Sequence, residues 1–180
     1  MSIAALLTLA LLAGEPDAIK LAQAQGPLQT GQSADDERRA QALAEGDPLP
    51  TGAPTDDYGL LAWCHGALNG HMQLKPVVWP EVERIERQFP NPATPVDTAL
   101  AVYEQQSSEG AAAIGKIEAA LSSLEAKGRT GGIDRAAADA QGAQIWNGAA
   151  SADRRQVAQL WMSWALPGRC TSTADRILAQ

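Results

Sequence analysis

Four side chains carry most of the chemistry open to this chain: Cys64, His65, His71 and Cys170. They are all the cysteines and histidines it has. A thiolate beside an imidazole would be a nucleophile, and Cys with His would hold zinc. His71 or Met72 could ligate a haem iron, and two thiols could simply join each other. Spacing removes most of these. Neighbouring helical positions diverge by about 100°, so His65 does not face Cys64. His71 shares the face of Cys64 but lies two turns away, about 10 Å along the axis. The two imidazoles point about 120° apart, and the cysteine spacing matches no zinc pattern. No C-x-x-C-H, G-x-S-x-G, P-loop or dinucleotide fingerprint occurs. Glu83 and Arg87, at i,i+4, read as surface pairing. No metal and no cofactor is therefore expected, and no catalytic residue; an enzyme of unknown type ranks third among the functions considered.

The expected chemistry is a disulfide between Cys64 and Cys170. An even cysteine count in an exported chain favours the bond, and the rival is two buried free thiols. It would close a loop of about 105 residues, worth about 4–5 kcal/mol in the chain-entropy model.

Export is the expectation from the first residues. MSIAALLTLALLAG is apolar and stops before Glu15 and Asp17. It is shorter than the roughly 20 residues of a membrane span and suits the apolar region of a signal peptide. Ala22-Gln23-Ala24 offers a small-x-small cleavage pattern before Gln25. Two features fit badly: no Lys or Arg precedes the run, and the stretch up to Ala24 is long and charged. The alternative is a buried N-terminal helix.

The chain has 180 residues, a net charge of −7 and scattered basic side chains. Such a surface repels phosphate backbones and anionic lipid, so nucleic acid and membrane surfaces are not expected partners. Five tryptophans against one phenylalanine must supply much of the bulky packing.

The elements that would position the cysteines are helical. Residues 25–54 nearly lack large apolar side chains and read as a flexible tether. A transient helix is expected within it, capped by Ser33 and carrying Leu43 as its only large apolar residue. A helix over 56–74, capped by Thr55, places Leu60, Leu61, Cys64, Ala67, Leu68 and His71 on one face. Gly59, Gly66 and Gly70 line the opposite side, which predicts close approach of another backbone there. A separate short helix starts at Pro80 and stops before Pro90. The long helix of about 95–127 repeats Val96, Tyr103, Gly110, Ile117 and Leu124 every seven residues. Leu100, Ser107, Ile114 and Leu121 run four places later. Ser107 and Gly110 leave a dent in this stripe, to be filled by a bulky partner side chain such as a tryptophan, the favoured answer, or by a ligand. Helices over 133–147, 151–166 and 173–178 complete the set. Trp161 and Trp164 share an apolar face, whereas Trp79 and Trp146, near helix ends, are the candidates for exposed contact with a partner or ligand. No alternating strand pattern is present.

The stretches DDYGLLAWCHGALNGHM and QVAQLWMSWALPGRC resemble a group of small exported alphaproteobacterial proteins of unassigned function. That resemblance, over about residue 56 to the C-terminus, implies export and a shared helical fold. It implies no activity, cofactor or catalytic residue.

The expectation is thus all-α: a helical bundle of about four main helices plus shorter ones, with one disulfide. Residues 1–24 form the signal peptide, 25–54 the tether and 55–180 the helical domain, with no membrane span in the mature chain. The expected role is that of a non-enzymatic periplasmic or secreted protein, structural or binding another envelope protein. The alternative is a small-molecule binder with a cavity near Ser107 and Gly110.

Overall fold

A computed structural model describes residues 34–149 and 151–180. The expected signal peptide and the start of the tether lie outside the described residues. Those described form six α-helices and one 3-10 turn, without strands. In chain order these are α1 (Ala34–Ala44), α2 (Asp57–Gln88), α3 (Val96–Ala126), α4 (Arg135–Ala143), a 3-10 turn (Gln144–Trp146), α5 (Arg154–Ser163) and α6 (Gly168–Leu178).

Helix α2 is the mast of the bundle and is packed on both of its expected faces. Leu60, Leu61 and Cys64 meet Ile117, Leu121 and Leu124 of α3 and Ala174 and Ile177 of α6. Further along, Val78 and Val82 meet Val157, Ala158 and Trp161 of α5. Asp56, rather than Thr55, caps α2 by accepting from the Gly59 N–H at 2.7 Å. Such a bond satisfies one of the donors orphaned at a helix start.

The glycine side of α2 behaves as predicted at one position and differently at two. A Cβ on Gly66 would stand 1.9 Å from the backbone oxygen of Asp139 in α4, and one on Gly142 would stand 1.9 Å from that of Trp63. Two helices therefore touch backbone to backbone, each supplying one glycine where the other's carbonyl arrives. Gly70 instead admits the Trp146 indole, whose Cδ1 would be 2.3 Å from a Cβ. Gly59 makes room only for the nearby Asp56 and Pro54.

Helix α2 does not end near Leu74 but runs on through Pro76 and Pro80. Both prolines are exposed, one turn apart, opposite the buried Val78 and Val82. The backbone carbonyls they leave unpaired open on the wetter side, where water can serve them, while packing holds the other side. Similarly, α6 begins at Gly168 rather than Thr173, so Cys170 sits in its first turn. The stripe of α3 is buried at Ser107, Ile117, Leu121 and Leu124 and half-buried at Val96, Leu100, Tyr103, Gly110 and Ile114.

Part of the expected tether is held against the domain. In α1 it is Ala42 that is fully buried, while Leu43 is 68% exposed. The fastening is polar. Arg39 donates to the carbonyl of Ala53 at 2.5 Å, Thr55 to Asp35 at 2.5 Å, and Arg169 of α6 to Glu45 at 3.1 Å. Low apolar content thus does not free this segment, because arginines satisfy its turns.

Candidate functional site

Cys64 and Cys170 are joined, with Cα atoms 5.9 Å apart and both residues fully buried. The bond ties the middle of α2 to α6 across a separation of 106 residues. It also takes up both thiols, leaving neither as a nucleophile while it is intact.

Two turns beyond Cys64, His71 sits in a nest of indoles. Its ring stacks on Trp161, with centroids 4.7 Å apart and planes at 7°, and Trp164 and Trp146 close in at 4.8 and 5.3 Å. Two bonds lock this stack reciprocally. His71 Nε2–H donates to the Trp161 carbonyl at 3.1 Å, and the Trp161 indole N–H donates to the His71 carbonyl at 2.9 Å. Burial pushes the imidazole below its ordinary value of 6.5, against a smaller upward pull from the Trp161 carbonyl. At neutral pH the ring is therefore uncharged, with its proton on Nε2 and a lone pair on Nδ1. Among the described residues Nδ1 has no hydrogen-bond partner, and the residue as a whole is 9% exposed.

That ring lines a cleft of about 360 Å³ between α2, α3 and the chain leading from α5 into α6. Leu68 and His71 belong to one wall, Gln106, Glu109 and Gly110 to a second, and Trp164 to the third. The dent expected in α3 is present here. A Cβ on Gly110 would stand 3.1 Å from Met72 Sδ and 3.5 Å from Leu68 Cδ1. The bulky side chains that approach the glycine are a methionine and a leucine rather than a tryptophan, and Gly110 and Leu68 also line the cleft. Its volume lies at the lower end of the range of small-molecule sites.

The other anticipated contact residues are placed as follows. Ser107 is buried, and its hydroxyl donates back to the Tyr103 carbonyl at 2.8 Å, so it shapes α3 rather than lining the cleft. Trp79 is half-buried under Lys75, 5.2 Å from the ring centroid, and donates to Glu83 at 3.1 Å. Trp146 is buried, contrary to its expected exposure. Gly70 leaves room for its ring, and its N–H donates to the Ala67 carbonyl at 2.7 Å.

Sequence reasoning missed a second histidine arrangement. His65 Nδ1 pairs with Asp139 of α4, and Nε2 pairs with Glu118 of α3 at 3.2 Å. This clasp ties three helices where Gly66 lets α4 approach. With both thiols in the disulfide it has no cysteine to activate, and we read it as a strut. Among the described residues, no group of three His, Cys, Asp or Glu side chains could hold a metal ion.

Comparison with models of protein families, with curated proteins and with solved structures gives no match. The functional reading accordingly rests on the cleft itself.

Proposed function

We propose that this is a non-enzymatic, exported helical protein that binds a small molecule in the cleft beside His71 and Gly110. One observation carries the reading: His71, whose Nδ1 has no hydrogen-bond partner among the described residues, lines a cleft together with Leu68, Gly110 and Trp164. Such a site combines apolar area with a single orienting polar group, which is how small-molecule sites are commonly built. Export is supported by the disulfide, since such bonds persist mainly in oxidising compartments, and by the apolar run at Met1–Gly14. No helix among the described residues is long and apolar enough to cross a membrane.

The test is a thermal-shift screen of a chemically mixed small-molecule library at neutral pH, run on the wild type and on Gly110→Leu. The added side chain would crowd Met72 and the cleft-lining Leu68, which a Cβ at this position already meets at 3.1 and 3.5 Å. Compounds that raise the melting temperature of the wild type and not of the variant are expected. A library that shifts neither, or both alike, removes the reading.

A protein-interaction role is the second reading, and a different surface favours it. A shallower groove of about 280 Å³ runs past Ile145, Trp146, Val157 and Leu160, the last being 46% exposed. It would seat an apolar side chain of another envelope protein. Photocrosslinking from position 160 in the native envelope checks this, with one discrete protein adduct supporting it and none removing it.

A further inference from the structure

The polar groups of the cleft define what it would select. Four lining side chains are polar: His71, Gln106, Glu109 and Thr171. None of the lining residues is a lysine or an arginine. The His71 imidazole has its proton committed to the Trp161 carbonyl, so Nδ1 can only accept. Glu109 adds a carboxylate at the exposed wall. Among the described residues it accepts from Gln105 at 2.8 Å, a surface bond that water or a ligand can replace. An anionic ligand would meet a lone pair and a like charge, with no cation to offset either. A hydroxyl could donate to Nδ1 but would gain nothing from Glu109. An ammonium group gains from both, and the Trp164 indole at the cleft wall favours a cation further. The net charge of −7 draws cations towards the whole surface.

We propose that the cleft takes a small organic cation: a primary ammonium on an apolar body. The ammonium donates to His71 Nδ1 on the Glu109 side, and the body lies against Leu68 and Trp164. This rests on the cleft being a ligand site, as proposed above, and specifies its ligand class.

Three probes of similar size separate the possibilities: 2-phenylethylammonium, 2-phenylethanol and 3-phenylpropanoate. Each is titrated calorimetrically into the intact, disulfide-bonded protein at neutral pH and low salt. The ammonium is expected to bind at least tenfold more tightly than the alcohol, and the carboxylate to show no measurable binding. Glu109→Gln, an exposed change that leaves the fold alone, should weaken the ammonium about fivefold and leave the alcohol unchanged. Gly110→Leu should abolish both. If the alcohol or the carboxylate binds as tightly as the ammonium and Gly110→Leu removes that binding, the cation class is overturned while the cleft remains a ligand site. Ammonium binding that survives Gly110→Leu overturns the site chosen for it. If no probe binds, the proposal falls. The thermal-shift screen then decides whether the cleft falls with it.

Discussion

Gly142→Ala and Gly66→Ala are each expected to destabilise the protein by more than about 3 kcal/mol, enough to compromise folding of a domain of ordinary marginal stability. Alanine is the better helix former, so propensity alone predicts a gain of about 1 kcal/mol at either position. Contact decides otherwise. The new Cβ would stand 1.9 Å from the backbone oxygen of Trp63 or of Asp139, and neither carbonyl can turn aside without leaving its helix. Relief requires α2 and α4 to separate by more than an ångström. That loosens the packing of Ala138 and breaks the reach of His65 to Asp139. Gly115→Ala is the internal control, since nothing lies within 4 Å of its Cβ position on α3. It should stabilise by up to about 1 kcal/mol. Equilibrium urea unfolding of the three variants checks the order. A Gly142→Ala protein as stable as the parent would mean that the two helices are farther apart than described.

Loss of the disulfide is the other large effect. Replacing Cys64 and Cys170 together by alanine should cost about 4–5 kcal/mol in the chain-entropy model for a loop of this length. A melting temperature lower by about 10–20 °C would correspond to that cost at this chain size. The double replacement avoids leaving one polar thiol or hydroxyl unpaired among Leu60, Leu61 and Ala174. What remains to hold α6 is Ala174 and Ile177 in the core and exposed pairs such as Arg176 with Asp57 at 2.7 Å and Lys116 with Asp175 at 2.8 Å. Exposed pairs of that kind contribute little each. Because both cysteines are fully buried, reductant alone should leave the folded protein oxidised, whereas reductant with denaturant should free two thiols for alkylation. A double variant that melts with the parent would show the bond to be filler.

These two effects also mark where the sequence could and could not be read. The disulfide was open to reading, because the even cysteine count and the apolar face of Cys64 agree without knowledge of the fold. The long stripe of α3 was open for a similar reason, since seven-residue repetition is a local property that packing merely uses. Gly66 announced a close approach, but its partner Gly142 did not stand out. Its signal was Ala138-x-x-x-Gly142 in an alanine-rich helix, small side chains spaced to share one side. Failures fell where a local rule met a tertiary override. Pro76 and Pro80 obey the helix-breaking rule in isolation, yet α2 continues because Val78 and Val82 are anchored on the other side. Residues 34–54 look too polar to dock, yet Arg39 and Arg169 fasten them by hydrogen bonds that composition does not reveal. The clasp of His65 joins residues 53 and 74 positions away, beyond any periodic pattern. At the cleft, the small residue at Gly110 stood out in the sequence, whereas an unpartnered His71 Nδ1 did not. Assigning Nδ1 that role needs the Trp161 carbonyl, 90 positions from His71.

Nitrogen NMR of protein labelled at histidine reads directly whether His71 is a neutral acceptor. At neutral pH His71 should show a protonated Nε2 and an unprotonated Nδ1. Saturating 2-phenylethylammonium should then shift the Nδ1 resonance as it accepts a hydrogen bond, leaving Nε2 on the Trp161 carbonyl. A proton found on Nδ1 in the free protein, or an Nδ1 signal indifferent to every compound that binds, would contradict the account.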